Sequence, residues 1–555
     1  TFYTLLAASR CKKECPASRY RPVEKQAPKH SALLYLSYSI LFLLSRLREH
    51  FCFGMIKHCL YNKFKIKYKN MPRFTIIETA KHIGEKVKVS GWVDTVRAHG
   101  KVLFVDLRDR SGILQIVFIP SNKEVYEMAN EVRPEWVVEI EGQIVKRPES
   151  MINPKLESGS VEMLADSLKI LAKSETLPFS IEDSGYEIGE EIRMKYRYLD
   201  LRRQRLKNNL IVRHKVSKFA RDFLSAEGFI EVETPYLTKS TPEGSRDFIV
   251  PSRLQQGKFY ALPQSPQQYK QLLMVAGIEK YYQLARCFRD EDARGNRQYE
   301  HTQIDIEMSF VKQEDVMELY ERFLIKLVEN LFPDKKIQEI PFPRITYQES
   351  MEKYNSDKPD IRNDKNDPNL LAFLWVVDFP FFEKSDDGGW TFTHNPFSAP
   401  KPEFMSDLLQ KNNIEKILTT QYDVVLNGVE AGGGSIRNHT PEALKKVFEI
   451  MGHKDEDIKE QFGHMLEAFS FGAPPHGGIG SGIDRLISLL IGEPDIREVI
   501  AFPKTGDGRD FMMQAPSEVS DKQLKELGIS IAKKVDDKIV KKNEKKVVTK
   551  KKNEI

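Results

Sequence analysis

Polar and apolar positions alternate most sharply between Tyr299 and Phe310. Thr302, Ile304, Ile306 and Met308 fall on one side, and Gln303, Asp305 and Glu307 on the other. A two-residue period predicts a strand. The stretch before it, Arg286 to Arg297, mixes both charge signs and contains Gly295 and Asn296, which favour a turn. The pattern is a charged hairpin feeding a strand with amides and carboxylates at regular spacing. Such a surface suits a polyanion held by arginines beside a small zwitterion held by carboxylates. From this stretch alone, a solvated hairpin with ordinary ion pairs reads equally well.

The preceding pattern is of short strands. Val87–Val93, Leu103–Leu107, Leu114–Phe118 and Val137–Val145 are β-rich and separated by turns. Residues 71–175 therefore read as a small β-barrel of the oligonucleotide-binding (OB) kind. Arg97, Phe104 and Gln115 fall on or beside those strands. An arginine for phosphate, an aromatic for stacking and an amide for a base edge would serve a single strand. The alternative places Phe104 in the core and Gln115 in solvent.

Residues 176–205 contain Pro178, Gly185 and Gly189 and read as a hinge. Leu206–Glu227 has helical spacing, Gly228 stops it, and Phe229–Thr234 reads as a strand ending at Pro235. That helix and strand predict either a subunit interface or a buried pair. Further on come an apolar strand at Leu374–Glu383, a strand with Asp423 and Glu430, and glycines before a helix at Ile483–Leu490. Glycines at a helix start suit phosphate, but this is neither a Walker A loop nor a dinucleotide fingerprint. The folded region 206–530 is expected to be α+β.

Composition changes the picture little. With 555 residues, 40% hydrophobic and 30% charged, the chain predicts a soluble protein of more than one domain. The net charge of +5 is misleading, because Lys533–Ile555 holds ten lysines and four acids. This tail, 531–555, reads as a solvated or RNA-touching arm, and any polyanion must otherwise meet local patches. Four of five cysteines lie in the first sixty residues at irregular spacing, which argues against a zinc site, and Cys287 reads as a small buried residue. The apolar run Ala32–Ser45 is about 14 residues, short of the roughly 20 that span a bilayer. No membrane association is expected. Residues 1–70 read as an upstream extension without a fold, with Met71 as the start; an organelle presequence is the alternative.

Three blocks resemble the signature motifs of class II aminoacyl-tRNA synthetases: Phe219–Pro235, Phe288–Glu307 and the Gly-Ile-Asp-Arg at Gly482–Arg485. Within that class the chain is similar to the bacterial-type aspartyl-tRNA synthetases. The similarity is carried by Thr241–Val250, Gln264–Gln271 (QSPQQYKQ), Arg286–Glu307 and Glu430–Arg437 (EAGGGSIR), in order from Met71 to about Ser517. The resemblance implies an antiparallel catalytic sheet flanked by helices, a cytoplasmic homodimer, and ATP with Mg²⁺. It also implies tRNA(Asp), tRNA(Asn) as a second acceptor, and L-aspartate as the amino acid.

By the same resemblance, Arg289, Glu291 and Arg485 are catalytic, with Arg289 on the α-phosphate and Arg485 on the γ-phosphate. Asp290, Gln298, Glu430, Gly482, Ile483 and Asp484 complete the ATP site, and Asp423 and Glu430 are the metal carboxylates. Lys270 and Arg437 face the substrate's side-chain carboxylate. Glu243, Ser265, Gln267 and Asp305 lie about the rest of the amino acid, and His394 belongs to a mobile loop. The anticodon set is Arg97, His99, Phe104 and Gln115, with His99 resembling a residue of enzymes that charge both tRNAs. Two departures stand out. Only Asn363–Phe373 joins segments that bacterial members separate with an inserted domain, and His394-Asn395 replaces paired histidines. An asparaginyl-tRNA synthetase and a non-catalytic RNA-binding relative are the rival readings.

Overall fold

Alternating burial along the strands builds the first unit. The computed structural model describes residues 72–240, 244–291, 297–385 and 388–532, and the chain divides after Thr176 into two compact units. In the first, β1 (Lys86–His99), β2 (Val102–Arg108), β3 (Ile113–Phe118), β4 (Val137–Lys146) and β5 (Val161–Ala172) close a barrel in the order β1-β2-β3-β5-β4. Every second residue of β2 points inward, so Leu103, Val105 and Leu107 join Val89, Ile116, Ile140 and Met163 in one core. The other residues of β2 face outward. Phe104 is the cross-strand partner of Arg97, and Asp106 that of Gln115. The extension 1–70, its start at Met71 and the lysine-rich tail beyond Ala532 lie outside the described residues.

The second unit is organised by an eight-stranded sheet. Its strands are β6 (Ile230–Glu231), β9 (Lys280–Phe288), β10 (Glu300–Ser309), β12 (Arg344–Thr346), β14 (Phe373–Val377), β17 (Gln421–Leu426), β18 (Val429–Ile436) and β19 (His476–Gly482). The spatial order is β12-β14-β17-β18-β19-β10-β9-β6. Three small pairs complete the strands: β7 (Ile249–Pro251) with β8 (Phe259–Ala261), β11 (Lys336–Ile337) with β13 (Leu370–Leu371), and β15 (Phe382–Lys384) with β16 (Trp390–Phe392). The expected antiparallel sheet holds for its central six strands. At the two edges, β12 runs parallel to β14 and β6 parallel to β9, because helices make those connections. The strand expected over Phe229–Thr234 pairs only at Ile230 and Glu231.

One face of the sheet is covered by the helices Gln204–Ala226, Gln313–Leu331 and Ile483–Ile491, which bury Val216, Phe223, Phe323, Leu327 and Leu486 against Ile304 and Ile306. Trp375 is fully buried and donates its indole N–H to Glu321 at 3.0 Å. Glu321 in turn accepts the Phe342 N–H at 3.0 Å. The stretch expected as a hinge contains two short helices, Glu190–Lys195 and Arg197–Asp200. Buried arginines of this stretch are ion-paired: Arg193 forks onto Glu498 at 3.0 and 2.8 Å, and Arg197 and Arg203 reach Asp200 at 2.6 and 2.7 Å. Trp375→Ala is expected to lower unfolding free energy by about 3–5 kcal/mol through cavity formation and the loss of one of the two donors to Glu321, measured by urea denaturation.

Candidate active site

The sheet face opposite the helices is floored by glycine. On β18 and β19, Gly433, Gly478 and Gly480 leave no side chains over the centre of this face. A Cβ on Gly478 would overlap the Ile306 carbonyl and the Glu307 carboxylate, and one on Gly433 would meet Asp423 Oδ1 at 2.6 Å. The missing methyl groups open two adjoining cavities. They share Arg289, Gln303, Glu430 and Gly480, so they form one cleft.

The first cavity, about 300 Å³, is built on β10 and on the helix Gln267–Val275. The strand's period aims Gln303, Asp305 and Glu307 at the cleft, while Ile304 and Ile306 enter the core. Lys270 Nζ reaches Asp305 Oδ1 at 2.7 Å and Glu307 Oε2 at 3.2 Å. Arg437 donates Nε and Nη2 to Glu307 at 2.8 and 3.0 Å. All four side chains are at most 3% exposed. Burial alone would raise the Glu307 carboxyl, yet the Arg437 and Lys270 charges hold it down at about 2. Burial wins at Asp305, whose carboxyl is raised despite Lys270. Asp305 Oδ2, Gln267 Nε2 and Arg289 Nε are buried without hydrogen-bond partners. Orphaned buried groups are costly, so three such atoms around one cavity mark it for a polar ligand.

At its rim, the exposed His394 packs edge-on against Phe379, with ring centres 4.9 Å apart. Ser265, Asn395 and Gln421 also line this cavity. Asp423 is buried and its carboxyl is raised by burial and by neighbouring Glu430. Both carboxylates approach the same point above Gly433. Among the described residues no cluster of three His, Cys, Asp or Glu is set to hold a metal. Two paired carboxylates nonetheless match magnesium, which takes one or two of them plus phosphate oxygens.

The second cavity, about 230 Å³, is lined by Arg289, Glu291, Arg297, Gln298, His301, Gly482, Asp484 and Arg485. Arg485 leaves the first turn of the helix Ile483–Ile491 and donates to the Glu430 carbonyl at 2.9 Å. Burial and the charges of Arg289, Arg485 and Arg286 push His301 down to about 3, so its imidazole is neutral at physiological pH. Glu291 accepts from Arg297 at 3.0 Å and pairs with the Ser245 hydroxyl.

Three expected residues behave differently. Ile483 is buried in the helix-side core, as its helical spacing requires. The Asp484 carboxylate is occupied by Arg213 of the long helix and by the Thr302 N–H at 3.2 Å. Asp290 does not line the cleft; its backbone bridges Arg246. Glu243, and the turn at Gly295 and Asn296, lie outside the described residues. His301, Arg297 and Gln421 were not singled out from sequence. His301 follows directly from the strand period that marks Gln303. In the barrel, Arg97 pairs with Asp106 at 2.7 Å, Gln115 donates to Glu162 at 2.8 Å, and His99 is exposed at the end of the β1–β2 hairpin.

A glycine-floored antiparallel sheet carrying an arginine before one strand and another at a following helix start defines a class II synthetase site. Residues 189–506 match the family described as tRNA synthetases class II (D, K and N), and residues 87–171 the OB-fold nucleic acid binding domain. The chain belongs to this class II tRNA synthetase family. Its curated relatives include the aspartate–tRNA(Asp/Asn) ligase of Caldanaerobacter subterraneus subsp. tengcongensis, 42% identical over 576 positions covering 81% of this chain and 96% of the relative. The aspartate–tRNA ligase of Staphylococcus carnosus is 40% identical, covering 81% and 97%. Among solved structures, the asparaginyl-tRNA synthetase of Pyrococcus horikoshii with asparaginyl-adenylate superposes with a TM-score of 0.61 at 22% identity, covering 77% of this chain and 96% of that one. The aspartyl-tRNA synthetase of Entamoeba histolytica gives 0.61 at 22%, covering 80% and 92%.

The folded pKa of Glu307 lies below its ordinary 4.5. Its ionisation therefore stabilises the fold above pH 4.5, and that contribution disappears as pH falls toward about 2. Glu307→Gln should flatten the pH dependence of the urea midpoint from pH 4.5 down to about 2, and should also lower stability at pH 7 because Arg437 loses its partner.

Proposed function

We propose that the protein is an aspartate–tRNA ligase that activates L-aspartate with ATP and passes it to tRNA. The observation that carries this is the buried set Lys270, Asp305, Glu307 and Arg437. Its two cations are oriented by Glu307 toward a cavity where Asp305 keeps one oxygen unpaired. L-Aspartate answers each group: its side-chain carboxylate meets Lys270 and Arg437, and its ammonium meets Asp305, Gln267 and Ser265. His394 stands at the rim, and Glu243 joins the ammonium end by the family resemblance. Asparagine would put a neutral amide, with its own N–H donors, against Lys270 and Arg437 where aspartate offers a charge-assisted acceptor, so it would bind more weakly.

In the first step an oxygen of the aspartate α-carboxylate attacks the α-phosphorus of ATP. A P–O bond forms, the bond to the bridging oxygen breaks, and pyrophosphate leaves. Arg289, at the junction of the two cavities, holds the α-phosphate, and Arg485 holds the γ-phosphate. Both act by positioning and charge stabilisation rather than covalently. Gln298 and neutral His301 flank the adenine side. Asp423 and Glu430 would hold Mg²⁺, which neutralises phosphate charge when bound. In the second step a terminal ribose hydroxyl attacks the aspartyl carbonyl. An ester forms, the carbonyl–phosphate bond breaks, and the hydroxyl proton passes to a phosphate oxygen of departing AMP.

The barrel reads the anticodon through Arg97, Phe104 and Gln115. His99 beside them supports charging of tRNA(Asn) as well as tRNA(Asp), in keeping with the Asp/Asn wording borne by the Caldanaerobacter relative. The enzyme is taken as a cytoplasmic homodimer. The sheet edge at β6 supports the dimer, because Ile230, Tyr236, Leu237, Ile249 and Phe259 are exposed there and on nearby segments, and uncovered edges with apolar flanks favour pairing.

Aspartate should stimulate ATP–pyrophosphate exchange where asparagine and lysine do not. Arg485→Ala should abolish exchange, and Phe104→Ala should cut tRNA charging about tenfold while sparing exchange; exchange driven best by a neutral amino acid would refute the assignment. Ile230→Lys should shift the sedimentation profile from dimer to monomer, and an unchanged profile would count against the edge as interface.

A further inference from the structure

Arg205, Asn209 and Arg213 of the long helix Gln204–Ala226 are spaced by four, so they share one face of it. All three reach the helix Ile483–Ile491 or the segment just after it. Arg205 donates Nη1 to the Glu493 carboxylate at 2.6 and 2.7 Å, and Asn209 donates to the same group at 2.7 Å. Arg213 pairs with Asp484 and donates to the Val499 carbonyl at 3.3 Å. The short helix is thus held at both ends, at Asp484 in its first turn and at Glu493 just past Gly492.

We propose that Arg213 is a positioning residue for the nucleotide: through Asp484 it sets the direction in which Arg485 meets the γ-phosphate. The inference rests on the ligase reading. Gly482 opens the short helix and has no side chain with which to cap its first turn. The turn that carries Arg485 takes its anchor from Asp484 instead. Asp484 is 2% exposed, and both of its oxygens are used. Oδ1 meets Arg213, and Oδ2 accepts the Thr302 N–H at 3.2 Å. Gln303 is the last residue of β10 to pair with β19, opposite Gly482. At Thr302, one residue beyond, the Asp484 carboxylate stands where a strand partner would. His301 and Gln303, on either side of Thr302, line the nucleotide cavity.

Arg213 lines neither cavity of the cleft, so it acts through its neighbour. Removing its charge leaves a buried carboxylate without its cation, a strongly unfavourable state. The first turn can relieve it by moving, and Arg485 moves with it. A displacement of about 1 Å in a positioning group can cost a reaction about a hundredfold. Glu493, gripped at the far end of the helix, is remote from the turn that carries Arg485. The same helix face therefore has one contact that aims a cavity group and others that secure packing.

The test separates aim from packing. Arg213→Met keeps the aliphatic stem and removes the cation. In aspartate-dependent ATP–pyrophosphate exchange its KM for ATP should rise about tenfold, while its KM for aspartate stays within about twofold of the unmodified enzyme's. AMP, which has no γ-phosphate, should inhibit both enzymes equally. Arg213→Lys should bring the KM for ATP back to within about threefold, because a single guanidinium nitrogen, Nη1, makes both contacts. Asn209→Ala loosens the far end of the short helix; it should lower the urea midpoint and leave both KM values within about twofold. The proposal is overturned by an unchanged KM for ATP in Arg213→Met, or by an aspartate KM or AMP inhibition constant that rises in step with it. A lysine variant as impaired as the methionine one, or an equal rise in Asn209→Ala, overturns it too. Absence of aspartate-dependent exchange in the unmodified enzyme overturns the ligase reading and the proposal with it.

Discussion

A carboxylate with no exposed surface holds the site together. Glu307 stays ionised only because Arg437 grips it with two nitrogens and Lys270 approaches from the other side. Taking these charges out of water costs several kcal/mol per ion, and good geometry is the only offset. That requirement fixes both cations in direction as well as charge. A lysine is ordinarily mobile; here its ammonium is held between two carboxylates on one strand. The direction in which both cations are held is thus a by-product of satisfying a buried acid.

The same logic extends along the cleft. Arg485 is braced by the Glu430 carbonyl, so the arginine at the helix start leans on the strand that carries Glu430. Asp484, next to it, is committed to Arg213 and the Thr302 backbone. This joins the long helix at the sheet's far face to the arginine at the helix start. Positions that look like ligands in a linear motif are here divided between groups that touch the cavity and groups that aim their neighbours.

Much of this was legible because period and placement coincide. The alternation of β10 both predicted a strand and sorted Gln303, Asp305 and Glu307 to the cleft, and the barrel strands announced themselves by β-rich runs between turns. What stayed hidden depended on partners far away in the chain. Nothing near Arg193, Arg197 and Arg203 tells that Glu498 will join them, so a buried charge cluster read as a hinge. Arg213 and Asp484 are 271 residues apart. The parallel edge pairings escaped because helical connections, rather than strand composition, decide strand direction. Ile483 was counted with a motif although its apolar side chain could only go inward.

The bare backbone beneath the cleft constrains what can be built on it. Because Gly478 lies too near the Ile306 carbonyl to accept even a methyl group, no side chain can be added to reshape the cavity from below. Any change in what the cavity accepts would have to come through its walls, where Lys270 and Arg437 stand. Exchanging Arg437 would leave buried Glu307 with Lys270 alone, so that wall could change only together with its partner.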